Sequence, residues 1–101
     1  MEAQYFSRAT IPFVREEKEP ARWLEHHTFF KHIGLYVYRR DFLATYTRLA
    51  EGVLEHAERL EQLRVLENGY KIKIGLTEHE SVPIDTKEDV ARVIAILQAR
   101  A

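Results

Sequence analysis

A run of leucines at helical spacing, closed by an Asn-Gly pair, is the feature that most constrains the fold of this chain. Five side chains share one face of the predicted helix: Leu54, Ala57, Leu60, Leu63 and Leu66. Asn68 and Gly69 predict its end, because glycine readily adopts the left-handed conformation of a helix cap. Residues 70–77, YKIKIGLT, then alternate apolar and polar side chains, which predicts a strand with one buried face.

A second alternating segment, KHIGLYVYRRDF at residues 31–42, predicts another strand whose two faces differ in chemistry. One face is expected to join the core and carries Ile33, Leu35 and Val37. The other face carries His32, Gly34, Tyr36 and Tyr38. The residues alone favour an ordinary half-exposed sheet surface for this second face. The alternative is a ligand site, with His32 and Tyr36 about 13 Å apart at ~3.3 Å per residue and a gap over Gly34.

Three further segments complete the predicted elements. Residues 3–6 are expected to form a short strand, and a long, charged, proline-bounded loop follows it. Residues 42–49 have the spacing of a short amphipathic helix. Near the C-terminus, Thr86 and Asp89 have the spacing of a capping box ahead of an apolar stripe, which predicts a final helix.

The predicted order is strand, loop, strand, helix, helix, strand, helix, which indicates an α/β fold. At 101 residues the chain holds one domain at most. Three strands make a thin sheet, and helices normally cover both faces of a parallel sheet. We therefore expect a domain that is incomplete by itself.

Charge and composition exclude several classes of function. A net charge of -1 gives no electrostatic footprint for a nucleic-acid partner. No apolar run approaches the ~20 residues that a membrane span needs, and no signal-peptide pattern is present, so we expect a soluble, cytoplasmic protein without membrane insertion. The chain has no cysteine and its five histidines lack metal-site spacing, so zinc is not expected. The nucleophile-elbow and phosphate-loop motifs are also missing.

Three polar residues could carry chemistry, and each has an ordinary structural explanation. Glu61 and Gln62 lie on the side of the predicted helix away from the leucines, where ion pairs on a solvated surface are the favoured interpretation. The alternative is that they bind a polyhydroxyl ligand. Asp85 directly precedes the last helix and suits a helix cap. It would also suit magnesium, which takes one or two protein carboxylates and completes its shell with water and phosphate.

Four blocks resemble, in order and interval, the carboxy-terminal half of bacterial 3-deoxy-manno-octulosonate cytidylyltransferase, the CMP-KDO synthetase: YFSRATIP, FKHIGLYVYRRDFL, LEQLRVLENGYKI and IDTKEDVARV. The resemblance covers nearly the whole chain. It implies a Rossmann-like nucleotide-diphospho-sugar transferase fold, with residues 1–101 as the C-terminal sugar-binding and dimerisation portion, either a single domain or a fragment. The N-terminal CTP-binding half is then expected to be absent.

The resemblance also implies roles for individual residues. Six are implied in binding the octulosonate: Ser7, Arg8, His32, Tyr36, Glu61 and Gln62. Asp85 matches the second magnesium-binding aspartate of the family, so Mg²⁺ is the expected cofactor of the complete enzyme. Three positions depart from the family pattern: Val53, Pro83 and Lys87. Proline fixes φ and lacks an amide donor, so Pro83 changes the backbone that leads to Asp85.

In the family, the anomeric hydroxyl of the octulosonate attacks the α-phosphate of CTP, which gives CMP-KDO and pyrophosphate for lipopolysaccharide biosynthesis. The resemblance therefore implies CTP and 3-deoxy-manno-octulosonate as partners, and a homodimer. This chain alone is expected to be inactive, because the triphosphate loop is missing from it. Two alternatives stay open, namely a non-catalytic dimerisation or structural module and a small stand-alone α+β binding protein.

Overall fold

The computed structural model describes residues 1–101 and contains four α-helices and one 3-10 helix. The α-helices are α1 Arg40–Tyr46, α2 Val53–Glu58, α3 Gln62–Glu67 and α4 Lys87–Arg100. The 3-10 helix, Pro20–Glu25, lies in a segment expected to be irregular, and its first residue is a proline whose fixed φ suits a helix start. No β-strand forms, so the predicted order of strands is not confirmed. None of the helices is long and apolar enough to cross a membrane.

The helix predicted at residues 42–49 is present but begins at Arg40 and ends at Tyr46, and the predicted C-terminal helix is confirmed. Asp41 lies in the first turn of α1, where its charge complements the helix dipole. At the start of α4, the hydroxyl of Thr86 accepts a hydrogen bond from the amide of Asp89, whose carboxylate accepts one from the amide of Thr86. This is the expected capping box, with aspartate at its second position. It begins α4 without help from any other part of the chain.

The prediction of one leucine-rich helix is wrong, because the chain divides it into α2 and α3 at Arg59. Arg59 adopts the left-handed conformation, with φ 55° and ψ 44°, which turns the backbone and ends α2. The guanidinium of Arg8 donates hydrogen bonds to the carbonyl oxygens of Glu58 and Arg59, the latter at 2.8 Å. A residue some fifty positions away therefore satisfies the free carbonyls at the break. Helical periodicity contains no signal for such a partner.

The end of α3 is confirmed. Gly69 has a φ of 82°, which an L side chain rarely adopts. The Gly69 amide donates to the carbonyl of Leu66 at 3.1 Å, and the Tyr70 amide donates to the carbonyl of Val65 at 3.0 Å. These two hydrogen bonds make a Schellman motif, which uses backbone groups alone to close the helix.

The strand predictions for residues 3–6 and 70–77 are wrong. Two amide-to-carbonyl hydrogen bonds of 2.9 Å join residues 1–3 to residues 72–74 around a single antiparallel bridge. A strand needs a longer run of paired backbone groups, and the pairing ends after this bridge. The alternating segment at residues 70–77 therefore does form backbone hydrogen bonds with another segment. That partner is only three residues long, so no strand results.

The strand prediction for residues 31–42 is also wrong, and two of the three aliphatic side chains expected in the core are exposed. A tight turn, closed by a 2.8 Å hydrogen bond from the Leu35 amide to the carbonyl two residues earlier, breaks the extended backbone. Leu35 and Val37, expected in the core, are 82% and 96% exposed. Tyr36 and Tyr38 are only 36% and 37% exposed. The aromatic side chains are covered because other rings contact them, and no layer covers the aliphatic ones.

The core is small and lies in the pair of helices α2 and α3. Four residues are buried: Glu55, Gln62, Leu63 and Val65. The radius of gyration is 17.0 Å, compared with about 13 Å for a compact domain of this length. The accessible surface is 9002 Å², compared with roughly 6,000 Å² for a folded monomer of this mass. The chain therefore leaves much of its apolar surface uncovered.

Candidate ligand-binding site at His32 and Gln62

The amino end of α3 brings Gln62 to His32. Gln62 is the first residue of α3 and is only 4% exposed. Its amide nitrogen lies 3.3 Å from Nδ1 and 3.4 Å from Nε2 of His32, so it approaches both ring nitrogens almost equally. Two residues that are 30 positions apart in the sequence thus form one polar contact.

Tyr36 also contacts the imidazole of His32. A hydrogen bond links its hydroxyl to Nε2 of His32, and the two ring centroids are 5.7 Å apart. The expected gap of about 13 Å between these side chains, which assumed an extended strand, is therefore wrong. The tight turn at Gly34 folds the segment back, so that side chains four residues apart meet.

Phe6 covers the imidazole and is a member of the site that was not predicted from the sequence. Its ring centroid lies 4.6 Å from that of His32, with 36° between the ring planes. The available signal was its position in the block YFSRATIP, directly before Ser7 and Arg8. A large aromatic beside residues that the resemblance implies in sugar binding is a natural cover for that ligand's site.

Partial burial changes the proton affinities in this cluster. Burial lowers the pKa of His32 below its ordinary value of 6.5, because removing water disfavours the imidazolium. Burial raises the pKa of Tyr36 above 10.0, and the nearby Tyr38 and Glu61 add to the effect. Both side chains are therefore neutral at neutral pH. The cluster offers neutral hydrogen-bonding groups beside the Glu61 carboxylate, which is a surface suited to hydroxyl groups.

Ser7 and Arg8, predicted to bind the ligand, make contacts of their own. The hydroxyl of Ser7 accepts a hydrogen bond of 3.0 Å from the Ala9 amide. The Arg8 guanidinium binds the last carbonyls of α2, and its backbone amide donates to the Glu58 carboxylate at 3.3 Å. Arg8 thus ties the loop that carries Phe6 to α2.

A sequence model of the cytidylyltransferase family matches residues 1–74, which include the whole of this cluster. The chain belongs to the cytidylyltransferase family. It is 56% identical over 99 residues to the 3-deoxy-manno-octulosonate cytidylyltransferase of Parabacteroides distasonis, an alignment that covers 98% of this chain and 39% of that protein. The protein of the same name from Phocaeicola vulgatus is 56% identical over 101 residues, covering 99% of this chain and 39% of its own length.

A more distant relative has the same name and is matched over a similar share of its length. The 3-deoxy-manno-octulosonate cytidylyltransferase of Syntrophus aciditrophicus is 52% identical over 99 residues, covering 98% of this chain and 38% of that protein. The chain therefore spans about two fifths of the length of the curated relatives it matches.

Asp85 makes no hydrogen bond or ion pair with His32, Tyr36 or Gln62. It is exposed, and its backbone amide donates to the Asp89 carboxylate at 3.0 Å. The carboxylate of Asp85 takes part in no hydrogen bond or ion pair, so the capping role goes to Thr86 and Asp89 instead. No group of three or more histidine, aspartate or glutamate side chains in the chain is arranged to hold a metal ion. An exposed, unengaged carboxylate is the kind of group that magnesium takes from a protein, usually one or two at a site.

Glu61 is held through its backbone. Its carbonyl oxygen accepts a hydrogen bond of 3.3 Å from the hydroxyl of Tyr46 in α1. The neighbouring Gln62 is buried, whereas the Glu61 side chain is exposed. The carboxylate is thus free to meet a ligand while its peptide is fixed. The structure brings together three predicted site residues, His32, Tyr36 and Gln62, and Glu61 is the sequence neighbour of Gln62.

Proposed function

We propose that this chain is the sugar-binding part of a 3-deoxy-manno-octulosonate cytidylyltransferase, which couples the sugar acid to CTP and releases CMP-KDO and pyrophosphate for lipopolysaccharide biosynthesis. The observation that carries the proposal is the junction of His32, Tyr36 and Gln62, three neutral polar side chains that meet beneath Phe6. The names of the relatives give the substrate class. The chain covers only 39% of the length of each of these relatives. The proposal is therefore restricted to binding of the sugar.

The chemistry of the cluster suits a polyhydroxyl ligand. Gln62 has both an amide donor and a carbonyl acceptor, and each of the two rings has a donor and an acceptor when neutral. The exposed Glu61 carboxylate accepts hydrogen bonds from hydroxyl groups. A sugar hydroxyl that replaces the Tyr36–His32 hydrogen bond would keep both partners satisfied.

The carboxylate of a sugar acid needs a cation, and Arg8 is the proposed one. A guanidinium binds a carboxylate through two parallel hydrogen bonds, which are stronger than hydrogen bonds to neutral carbonyls. Arg8 would release the carbonyls of Glu58 and Arg59 to make this contact. Ser7 would move with it, since the two are neighbours in the same loop.

The attack on CTP needs groups that we place outside this chain. We propose Asp85 as one carboxylate ligand of Mg²⁺ in the longer protein, because its side chain is exposed and unengaged. The other ligands and the triphosphate site would come from the rest of that protein. We expect no release of pyrophosphate from CTP by the 101-residue chain alone.

The uncovered apolar surface supports a role within a larger assembly. An accessible surface of 9002 Å² is about half as large again as expected for a folded monomer of this mass. We propose that the rest of the enzyme and a second subunit of a homodimer cover it. The cytoplasmic location expected from the sequence stays a prediction.

The test is a chimera in which this chain replaces the matching segment of the Parabacteroides distasonis relative. Tyr36→Phe removes only the hydroxyl that contacts His32, and we expect the KM for the octulosonate to rise about three- to tenfold, as for the loss of one hydrogen bond. The KM for CTP should not change. Tyr70→Phe is the matched control, because this ring packs on Phe42 and its hydroxyl makes no hydrogen bond.

Two results would count against the proposal. An active chimera in which Tyr36→Phe leaves the KM for the octulosonate unchanged would mean that the sugar binds elsewhere. Equal increases in both KM values would mean that the cluster supports the whole protein rather than the sugar site.

A further inference from the structure

Arg64 is a charged side chain close to the candidate site that the proposed function does not use. It lies in α3, two residues after Gln62, and its guanidinium donates two hydrogen bonds to the carboxylate of Glu55 in α2. The distances are 2.8 Å from Nε and 2.7 Å from Nη2. Glu55 is buried, with 7% of its side chain exposed, and Arg64 is 24% exposed.

This ion pair fixes the angle between two helices. Two parallel hydrogen bonds define the orientation of the guanidinium as well as its distance. Because the Glu55 carboxylate is buried, leaving it without a partner would carry a high energetic cost. Arg64 therefore holds α3 at one orientation against α2.

The same guanidinium also contacts α1. Its central carbon lies 5.4 Å from the centroid of the Tyr46 ring, within the range of a cation–π contact. The hydroxyl of Tyr46 in turn donates to the carbonyl of Glu61, the residue directly before Gln62. The contacts run from Glu55 to Arg64, from Arg64 to Tyr46, and from Tyr46 back to the peptide that joins Glu61 to Gln62.

We propose that Arg64 and Tyr46 are positioning residues that hold the Glu61–Gln62 peptide so that Gln62 meets His32. The part of this proposal that concerns sugar affinity rests on the proposed function. The part that concerns the orientation of Gln62 does not, since it can be measured without a ligand.

Lysine is the informative substitute at position 64. It keeps the charge beside Glu55 but lacks the planar fork, so it cannot make the two parallel hydrogen bonds or stack on Tyr46 in the same way. Tyr46→Phe is a second variant that keeps the ring and removes only the hydroxyl bound to Glu61. Arg40→Lys, at the exposed first turn of α1, is the matched control because its side chain makes no hydrogen bond or ion pair.

The experiment uses the full 101-residue chain and nuclear magnetic resonance. The first measurement, without ligand, records the side-chain amide signals of Gln62 and the titration of the His32 ring. In Arg64→Lys we expect the Gln62 amide protons to shift toward the values of a solvated glutamine, and the pKa of His32 to rise toward 6.5. Tyr46→Phe should cause a smaller change of the same kind, and Arg40→Lys none.

The second measurement titrates each variant with 3-deoxy-manno-octulosonate. We expect the dissociation constant to rise about tenfold in Arg64→Lys and less in Tyr46→Phe, because Gln62 then has to be oriented on binding. Thermal unfolding is followed in parallel. If Arg64→Lys fails to fold, the result for Tyr46→Phe decides.

The outcomes separate the two proposals. Unchanged Gln62 and His32 signals in both variants would overturn the positioning role, even if the variants melt at a lower temperature. Changed signals in a chain whose wild type ignores the octulosonate would support the positioning role and count against the proposed function.

Discussion

The α2–α3 pair and α4 have similar sequence patterns but differ in burial. Both carry an apolar stripe at helical spacing, yet α2 and α3 contain all four buried residues and α4 contains none. The short helices are held by distant groups, such as the Glu67 carboxylate of α3, which accepts hydrogen bonds from the first amides of α2. The 14-residue α4 is capped only by its own residues. An apolar stripe thus indicates a face that needs cover, and other segments decide whether it is covered.

The largest expected effect separates these regions through two leucine-to-alanine variants. Leu63 is fully buried, so Leu63→Ala removes packed methyl groups and leaves a cavity, and we expect the free energy of unfolding to fall by about 2–5 kcal/mol. Leu97 in α4 is 59% exposed, and Leu97→Ala should change it by less than about 0.5 kcal/mol. Urea unfolding followed by circular dichroism measures both. Equal losses would mean that α4 is packed in solution and that the contrast between the regions is wrong.

The second prediction tests the long-range cap of α2. A methyl group at Gly52 would overlap the carboxylate of Glu67, which accepts hydrogen bonds from the amides of Leu54 and Glu55 at 2.8 and 3.2 Å. Gly52→Ala should therefore displace this cap and lower the free energy of unfolding by about 1 kcal/mol. Gly34→Ala is the matched control, because nothing lies within 4 Å of its added methyl group.

A double variant shows whether the loss at Gly52 comes from the cap. Since Gly52→Ala and Glu67→Ala remove the same two hydrogen bonds, their effects on unfolding should not add. Additive losses would mean that glycine is needed at position 52 for another reason.

The parts of the fold that local residues determine could be predicted from the sequence. The capping box of Thr86 and Asp89 and the glycine turn at Gly69 depend on neighbours within a few positions, and both are present. The break at Arg59 could not be predicted in this way. It depends on Arg8, which is far away in the sequence.

The candidate site shows the same division. The resemblance to a family identified His32, Tyr36 and Gln62, which the structure brings together, but the strand geometry predicted the wrong separation of the first two. Alternation in the sequence could not show that Gly34 lies in a tight turn, since a strand needs a partner and this segment has none.

The smallest expected effect is the loss of the capping box of α4 at low pH. The amides of Asp85 and Thr86 donate to the Asp89 carboxylate and are the main reason that its pKa lies below the ordinary value of 3.8. Because the folded carboxyl group binds a proton less readily than the unfolded one, its contribution to α4 is complete above pH 3.8 and is lost as the pH falls through the lower folded value. We expect the amide signals of the first turn of α4 to change in that range.

The Schellman turn at Gly69 supplies the internal reference for this titration, because it is closed by backbone groups and contains no carboxylate in its two hydrogen bonds. Its amide signals should stay constant where those of Thr86 and Asp89 move. Asp89→Asn should abolish the response, since an amide side chain does not titrate in acid. A carboxyl signal of Asp89 that titrates at or above 3.8 would mean that the capping box does not persist in solution, and α4 would then lack the only cap that makes it independent of the α2–α3 pair.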